Sequence, residues 1–183
     1  MSKIFSLILL ILLFPFLIIV AIIIVLDDGF PILFKQKRIG KNNTHFWIYK
    51  LRTMKKGAPN IATHLVEESN IPLFTSIGPL IRMFSLDELP QLINILKGDM
   101  VFIGPRPALY NQYDLIDLRT KVGVHSLIPG VTGWAQVNGR DELSIPDKVK
   151  MDEYYLRNKS LRLNIKILLM TFIKVIKLEG VSH

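Results

Sequence analysis

Two adjacent carboxylates, Asp87 and Glu88, are the side chains of this sequence best suited to chemistry. They stand in the segment SLDELPQ, ahead of an apolar stretch, which predicts a position at the start of a helix. Unpaired backbone N–H groups there favour an ionised carboxylate, as a nucleophile or a Mg²⁺ ligand requires. Ser85, three residues before Glu88, also fits a purely structural capping box. Pro90 disfavours that alternative, because proline beyond the first helical turn is costly.

Arg106 and Arg140 are candidate phosphate-binding side chains. Arg106 lies between two prolines in Gly104–Pro107, and proline restricts both its own backbone and that of the preceding residue. A guanidinium on such a stiff segment suits bidentate phosphate binding, although an ion pair with a surface acid is the alternative. Arg140 closes the glycine-rich segment 128–140, where backbone N–H groups can approach an anion, or which is an ordinary loop.

Other reactive residue types give weaker signals. Asp152, taken alone, is expected to be a solvated acid on a helix that also carries two tyrosines. The histidines show no metal-ligand spacing, and the absence of cysteine excludes disulfides and thiolate metal sites. Ser85 has no evident base partner, which argues against a serine hydrolase.

A long apolar segment precedes these side chains. Ile4 to Leu26 contains no charged residue over 23 positions. As a helix it reaches about 34 Å, enough to cross a bilayer core. Pro15 predicts a kink, so the segment is either a single-pass anchor or a re-entrant helix that leaves by the face it entered. Basic residues stand on both sides of it, which favours the re-entrant form under the positive-inside rule.

Composition agrees with a membrane-associated protein. The sequence has 183 residues, a formal net charge of +8 and 50% hydrophobic residues. Its length fits one domain plus an anchor. A basic balance suits phosphorylated substrates, anionic lipid or nucleic acid equally well.

Short elements must position the candidate side chains. Lys50 and Arg52 are predicted on one alternating face of a strand. The last helix is apolar nearly all round, so it is either core or a helix in the membrane interface. Residues Lys55 to Ile71 are polar and predict a loop. Strands are predicted over Ile32–Gln36, Phe46–Met54 and Met100–Ile103, and helices over Pro79–Phe84, Leu89–Leu96, Ala108–Arg119, Asp147–Tyr155 and Leu161–Leu178.

Together these segments closely resemble the bacterial sugar transferase family, the monotopic phosphoglycosyl transferases. The resemblance covers nearly the whole chain, and the compact length resembles that of the minimal members. The matching segments are FKQKRIG, IYKLRTM, SLDELPQLINILKGDMVFIGPRP and IPGVTGWAQVNGR.

The resemblance implies transfer of a sugar-1-phosphate from a UDP-sugar to undecaprenyl phosphate, with release of UMP. An N-acetylated amino sugar is the family-level expectation. Asp87 is expected to attack the β-phosphorus and form a covalent intermediate in a ping-pong route, with Mg²⁺ on Asp87. Glu88 would support the metal or deprotonate the lipid phosphate. The implied substrate-binding residues are Lys50, Arg52, Arg82, Arg106, Pro107, Arg140 and Asp152.

The resemblance also implies an architecture and a location. The expected fold is α+β and mainly helical, with a re-entrant anchor over residues 1–28, kinked at Pro15, and a catalytic domain over residues 29–183. Short strands and interfacial amphipathic helices are expected in that domain, on the cytoplasmic face of the bacterial inner membrane. Two positions depart from the family pattern: Phe14 precedes Pro15 where serine is common, and Ser6 stands near a usual acid.

The resemblance also implies partners, and two other functions compete with the transferase interpretation. The expected partners are the two substrates and membrane lipid, not nucleic acid, with room for a homo-oligomer and downstream glycosyltransferases. A membrane-anchored basic protein that binds anionic lipid or nucleic acid is the main alternative. A glycosidase is disfavoured, because neighbouring residues rarely place carboxyl groups on opposite faces of a scissile bond.

Overall fold

The computed structural model of this protein describes residues 2–57, 73–139 and 142–177. The chain forms two compact units. The first comprises Met1–Gln36 and Ile48–Leu96, and the second comprises Lys37–Trp47 and Lys97–Gly180. Most of the predicted loop Lys55–Ile71, and Arg140, lie outside the described residues. The predicted division at residues 28 and 29 stays a prediction.

The described residues are mainly helical with a few short strands, which confirms the predicted mixed, mainly helical architecture. The strands form two separate pairs, β1 with β2 and β3 with β4. Along the chain the elements are α1 (Ser2–Asp28), β1 (Leu33–Ile39), β2 (His45–Leu51), α2 (Gly78–Met83), α3 (Gln91–Lys97), β3 (Val101–Ile103), α4 (Tyr113–Lys121), β4 (Gly130–Thr132), α5 (Trp134–Val137), α6 (Ile145–Asn158) and α7 (Leu161–Lys177).

Helix α1 is the predicted apolar anchor. It is long and apolar enough to cross a membrane, and most of its large apolar side chains are exposed. Pro15 lies inside the helix, which is nevertheless continuous from Ser2 to Asp28. A re-entrant bend at Phe14 and Pro15 therefore stays a prediction. One face of α1 is buried, because Val20 and Ile24 pack against other apolar side chains of the first unit.

Polar contacts tie both ends of α1 to the first unit. Near its start, the Ser6 hydroxyl is fully buried and donates a hydrogen bond to the Leu92 carbonyl at 2.8 Å. At its end, the Asp27 carboxylate accepts a hydrogen bond from the Ile77 amide at 3.0 Å. A buried hydroxyl needs such a partner, so Ser6 determines which face of α1 meets α3.

In the second unit, β3 and β4 run parallel at very close range. Val101 aligns with Gly130 and Ile103 with Thr132. The Gly104 amide donates to the Thr132 carbonyl at 2.8 Å. A Cβ atom added at Gly104, Gly130 or Gly133 would lie closer than 3.0 Å to neighbouring backbone atoms. Glycine is required here by space, since two backbones occupy the room that a side chain would need.

Helices α6 and α7 pack beside this strand pair. Tyr155 of α6 is buried, and its hydroxyl donates to the Ile103 carbonyl at 3.2 Å and bonds Asn164 Oδ1 at 3.0 Å. Leu163 and Ile167 of α7 join the same apolar cluster. The last helix is therefore partly core. Met170 is partly buried against the same cluster. The other large apolar side chains of α7 are exposed, and these are Leu161, Ile165, Leu168, Leu169, Phe172, Ile173, Val175 and Ile176.

Most element boundaries shift by a few residues from those predicted, and the start of α4 shifts most. Ala108 and Leu109 were predicted helical, but they are extended because they pair with Ile39 and Arg38 at the end of β1. Helix α4 begins at Tyr113, after the Gln112 side chain accepts a hydrogen bond from the Leu109 amide at 2.9 Å. Tertiary pairing overrides the local helical pattern at this point.

The start of α6 is fixed by a side-chain cap. The Ser144 oxygen accepts from the Asp147 amide at 3.2 Å, while its hydroxyl donates to Asp147 Oδ2 at 2.6 Å. Helix α6 begins before the predicted Asp147, with Pro146 in its first turn. The Ser144 hydroxyl, and then Lys150, hold the pKa of Asp147 below its ordinary value.

Substituting Ser144→Ala is expected to remove this cap and lower the free energy of unfolding by about 1 kcal/mol. It should also return the pKa of Asp147 towards its ordinary value. A lowered folded-state pKa stabilises the protein above the unfolded value of 3.8, and that contribution is lost as the pH falls through the folded value. Carboxylate titration by NMR checks the shift. An unchanged Asp147 titration would show that the capping contact does not form.

Candidate active site

The first unit brings Asp87, Glu88 and Lys50 together. Lys50 Nζ lies 2.9 Å from Glu88 Oε1 and 3.4 Å from Asp87 Oδ2. All three side chains are largely buried, with 17% of Lys50 and 12% of each carboxylate side chain exposed. The ammonium group thus offsets the repulsion between two neighbouring negative charges at a partly desolvated position. These three side chains therefore form one cluster, while their catalytic roles stay predictions.

A tight turn aims the two carboxylates. They lie in a 3₁₀ turn over Leu86–Glu88 that separates α2 from α3. Ser85 enters this turn in the left-handed conformation, with φ of 55°, and its side chain makes no capping hydrogen bond. The capping-box interpretation is therefore wrong, and Pro90 instead stands directly before the first residue of α3. Left-handed backbone costs energy for serine, so surrounding contacts must maintain this conformation.

A second contact holds the strand that carries Lys50. The Asn94 side chain of α3 is fully buried, and its Oδ1 accepts from the Tyr49 amide at 3.1 Å. Tyr49 directly precedes Lys50, and α3 follows directly after the two carboxylates. This hydrogen bond therefore fixes the separation of the lysine from the carboxylate pair. Sequence reasoning did not identify Asn94, because a polar residue within an amphipathic helix carries no motif of its own.

The carboxylate pair also fits a magnesium ion. Mg²⁺ usually takes one or two carboxylate oxygens from a protein and completes its shell with water and substrate phosphates. Asp87 and Glu88 both reach one ammonium group, so both can face one cation. Within residues 2–57, 73–139 and 142–177, no group of three or more histidines or acids could hold a metal by itself. The donor set therefore suits an ion shared with a phosphorylated substrate.

The other predicted basic residues of this unit have separate partners. Arg52 is buried, donates to the carbonyls of Asp28 and Gly29, and lies 3.2 Å from Asp28 Oδ2. It therefore ties the end of α1 to the segment after β2. The Arg82 guanidinium stacks over the Phe74 ring at 4.9 Å. Their predicted contacts with substrate phosphate stay predictions.

Arg106 and Pro107 belong to the second unit. Arg106 is half-buried, and its carbonyl accepts from Arg119 Nη1 at 2.8 Å. The Pro107 carbonyl accepts from Arg38 Nη1 at 3.0 Å. Beside them lies a cavity of about 30 Å³, to which Asn43 and His125 also contribute. That volume holds one water molecule, so we assign no substrate to it.

Asp152 is buried against Arg119, so the expectation of a solvated acid is wrong. Its Oδ2 accepts from Arg119 Nε at 3.0 Å and also from Nη2. Only 1% of Asp152 is exposed, and this burial raises the pKa of its carboxyl group, opposed by the Arg119 charge. Sequence reasoning missed Arg119, because no local pattern reveals a partner 33 residues away.

An aromatic stack lies elsewhere in the second unit. The rings of Trp134 and Tyr154 stack with centroids 5.5 Å apart. Lys166 of α7 places its ammonium group 5.1 Å from the centroid of the Trp134 ring. These contacts join α5, α6 and α7 through one half-exposed cluster.

Comparison with known proteins identifies relatives of this chain. Residues 1–178 match the family model described as bacterial sugar transferase. An uncharacterized sugar transferase, EpsL of Bacillus subtilis, is 41% identical over 158 residues, covering 86% of this chain and 76% of the relative. The undecaprenyl-phosphate glucose phosphotransferase of Komagataeibacter xylinus is 40% identical over 176 residues, covering 91% of this chain and 33% of the relative.

A third relative is named for a different sugar. The UDP-N-acetylgalactosamine-undecaprenyl-phosphate N-acetylgalactosaminephosphotransferase of Aeromonas hydrophila is 36% identical over 162 residues, covering 86% of this chain. The chain spans 33% and 38% of the Komagataeibacter and Aeromonas proteins, so it matches about a third of their length. The named sugars differ, so likeness to these relatives does not identify a donor.

Proposed function

The chain belongs to the bacterial sugar transferase family and is a phosphoglycosyl transferase, and from this we propose that it transfers a sugar-1-phosphate from a UDP-sugar to undecaprenyl phosphate. The proposed products are UMP and undecaprenyl-diphosphate-sugar, the first lipid-linked intermediate of a bacterial glycan. We propose an N-acetylated amino sugar as the donor sugar. The activities for which the Komagataeibacter and Aeromonas relatives are named support the lipid acceptor.

The buried cluster of Lys50, Asp87 and Glu88 is the observation that carries this proposal. A carboxylate beside a cation, at the mouth of a helix, suits attack on a phosphorus atom that itself bears negative charge. The apolar helix α1, which is long enough to cross a membrane, supports a position at a bilayer, where a polyprenyl phosphate is found. A binding protein for anionic lipid would have no use for two buried carboxylates next to its lysine.

The proposed reaction has two displacements at one phosphorus atom. An Asp87 carboxylate oxygen attacks the β-phosphorus of the UDP-sugar, and the bond from that phosphorus to the bridging oxygen breaks. UMP leaves with this oxygen and with the bonding electron pair. A phosphate oxygen of undecaprenyl phosphate then attacks the same phosphorus, the bond to Asp87 breaks, and the carboxylate is restored. Lys50 offsets the charge that builds up near Asp87, and Glu88 accepts a proton from the lipid phosphate when that is protonated.

We propose Mg²⁺ as the cofactor, held by Asp87 with support from Glu88 and completed by substrate phosphates. A bound magnesium ion would neutralise phosphate charge and orient the diphosphate. The protein itself supplies the positive charge of Lys50 and the negative charges of the two carboxylates around this position. In the second unit, we propose that Arg106 binds a substrate phosphate through its guanidinium group.

Contacts at both ends of α1 support the re-entrant topology. Ser6 and Asp27 are 21 positions apart, about 32 Å along a straight helix. Ser6 nevertheless contacts Leu92 while Asp27 contacts Ile77 of the same unit. A straight helix across a bilayer would carry one end away from a domain on the other side. We therefore propose that α1 enters and leaves on the cytoplasmic face, and that the exposed apolar row of α7 lies in the interface.

Intact-mass analysis after mixing the purified protein with Mg²⁺ and a panel of UDP-sugars, without lipid acceptor, tests the proposed function. A mass gain of one phosphosugar with release of UMP is expected for the correct donor. Added undecaprenyl phosphate should remove the adduct and yield undecaprenyl-diphosphate-sugar. If folded protein releases no UMP from any donor even with the lipid present, the transferase proposal fails.

Lys50→Met is expected to lower kcat/KM by about 10²-fold, because it removes a positive charge beside the reacting carboxylate. Lys50→Arg should retain more activity, since it keeps a cation. UMP release measured under steady-state conditions checks both variants, with the exposed Lys41→Met as the control. Activity of Lys50→Met within threefold of the parent would show that Lys50 has only a structural role.

A further inference from the structure

A four-carbonyl clamp holds the backbone around Arg106. Successive carbonyls from Pro105 to Ala108 each accept one hydrogen bond, and two of the four donors are arginine side chains. The bonds are Gly130 amide to Pro105 at 2.9 Å, Arg119 Nη1 to Arg106 at 2.8 Å, Arg38 Nη1 to Pro107 at 3.0 Å, and Ile39 amide to Ala108 at 3.0 Å. Each of these four carbonyls therefore contributes to holding the segment in place.

The sequence of this segment explains why arginine donors are needed. Pro105 and Pro107 have no backbone N–H, so they cannot donate to a neighbouring strand as other residues would. Their stiffness limits the shape of the segment but does not fix its position relative to the rest of the unit. The carbonyls must then be held from outside, and a guanidinium carries five N–H donors in a planar fork.

Arg119 is itself held in place by a buried acid. Its Nε and Nη2 bond Asp152 Oδ2, which leaves Nη1 directed at the Arg106 carbonyl. Within the described residues, the other oxygen of Asp152, Oδ1, is buried without a hydrogen-bond partner. Asp152 thus depends on Arg119 for its hydrogen bonds. Together the pair connects α4 and α6 to the backbone of Arg106.

We propose that Arg119, fixed by Asp152, and Arg38 are positioning residues that preorganise Arg106 for phosphate binding. This inference rests on the proposed function, in which Arg106 binds a substrate phosphate. It replaces direct substrate contact as the role of Asp152. Preorganisation matters because a guanidinium fork binds phosphate well only when its two donors are aimed beforehand.

Hydrogen exchange of amides tests the clamp without any need for turnover. Arg119→Met is combined with Asp152→Asn, so that no unpaired carboxylate remains buried. The amides of Ile39 and Gly130 should then exchange about tenfold faster, since their acceptors belong to the loosened segment. The exposed ion pair of Arg157 with Glu153 provides the matched control, Arg157→Met. Unchanged exchange at both amides would overturn the clamp.

A double-mutant cycle tests the link to Arg106. Arg119→Met with Asp152→Asn is expected to raise KM about tenfold for the substrate whose phosphate Arg106 binds, whether UDP-sugar or undecaprenyl phosphate. In an Arg106→Met background the same changes should add less than twofold, because their effect is transmitted through Arg106. If the KM increase caused by Arg119→Met with Asp152→Asn is as large in the Arg106→Met background as in the parent, the positioning role is wrong.

A second variant guards against a failure of folding. Arg38→Met should raise KM for the same substrate that Arg119→Met affects. Arg38→Lys should raise that KM less, since lysine can still donate to the Pro107 carbonyl. Equal defects in both Arg38 variants would contradict the role of Arg38. The parent protein could be inactive with every donor while the combined Arg119→Met and Asp152→Asn variant still shows the expected faster exchange. That result would overturn the proposed function and leave the clamp established.

Discussion

Asp87→Asn is expected to abolish formation of the phosphosugar adduct and to lower turnover by about 10⁴-fold or more. The amide has nearly the same shape but cannot act as the anionic nucleophile. Folding should be retained, because Lys50 keeps its contact with Glu88 at 2.9 Å. Intact-mass analysis and UMP release measure the two effects together.

The matched control for Asp87→Asn is Asp117→Asn, which removes the same charge from an exposed position of α4. It should leave adduct formation and turnover unchanged. A variant Asp87→Asn that still forms an adduct would move the nucleophile to another residue. One that forms no adduct but transfers sugar phosphate at the parent rate would favour direct attack by the lipid phosphate.

Gly133→Ala is expected to lower the free energy of unfolding by about 3 kcal/mol. A Cβ atom at this position would lie closer than 3.0 Å to the Gly104 carbonyl oxygen and to Gln136 Oε1. The Gln136 side chain could move, but the Gly104 backbone cannot, because it is held in the pairing with β4. Thermal unfolding in one detergent should show a drop in Tm of about 5–10 °C.

Gly123→Ala is the control that separates space from backbone conformation. Gly123 has a φ of +82°, and its nearest neighbour to an added Cβ would be Leu156 at 3.7 Å. Alanine there pays the left-handed penalty of about 1 kcal/mol without an overlap. If Gly133→Ala cost no more than Gly123→Ala, the close approach of the two backbones would not exist.

Local motifs identified candidate reactive side chains better than they predicted the surroundings of those side chains. The segment SLDELPQ placed Asp87 and Glu88 near a helix start, and the alternating strand pattern placed Lys50 and Arg52 on one face of a strand. Both are local features, and local features can be inferred from spacing. The same logic failed at Ser85, because a left-handed residue depends on the elements that flank it rather than on its type.

Polar contacts between residues far apart in the chain could not be predicted from the sequence. The pairing of Arg119 with Asp152 and the contact of Asn94 with the Tyr49 amide join residues 33 and 45 positions apart. A single sequence gives no sign of such partners, since each residue alone fits a solvated surface. Helix ends were predictable where glycine intervenes, as at Gly98 after α3, whose φ is +94°. They were not predictable where tertiary pairing decides, as before α4.

Both tryptophans of the chain, Trp47 and Trp134, belong to the second unit. Intrinsic fluorescence therefore reports on that unit, and the lysine close to the Trp134 ring makes its emission sensitive to loss of the stack. Neither tryptophan belongs to the unit that carries the anchor and the carboxylate pair, so the signal does not report directly on that pair. A spectroscopic assay of the reactive cluster therefore needs a reporter placed there, such as Phe84→Trp at an exposed position beside the turn.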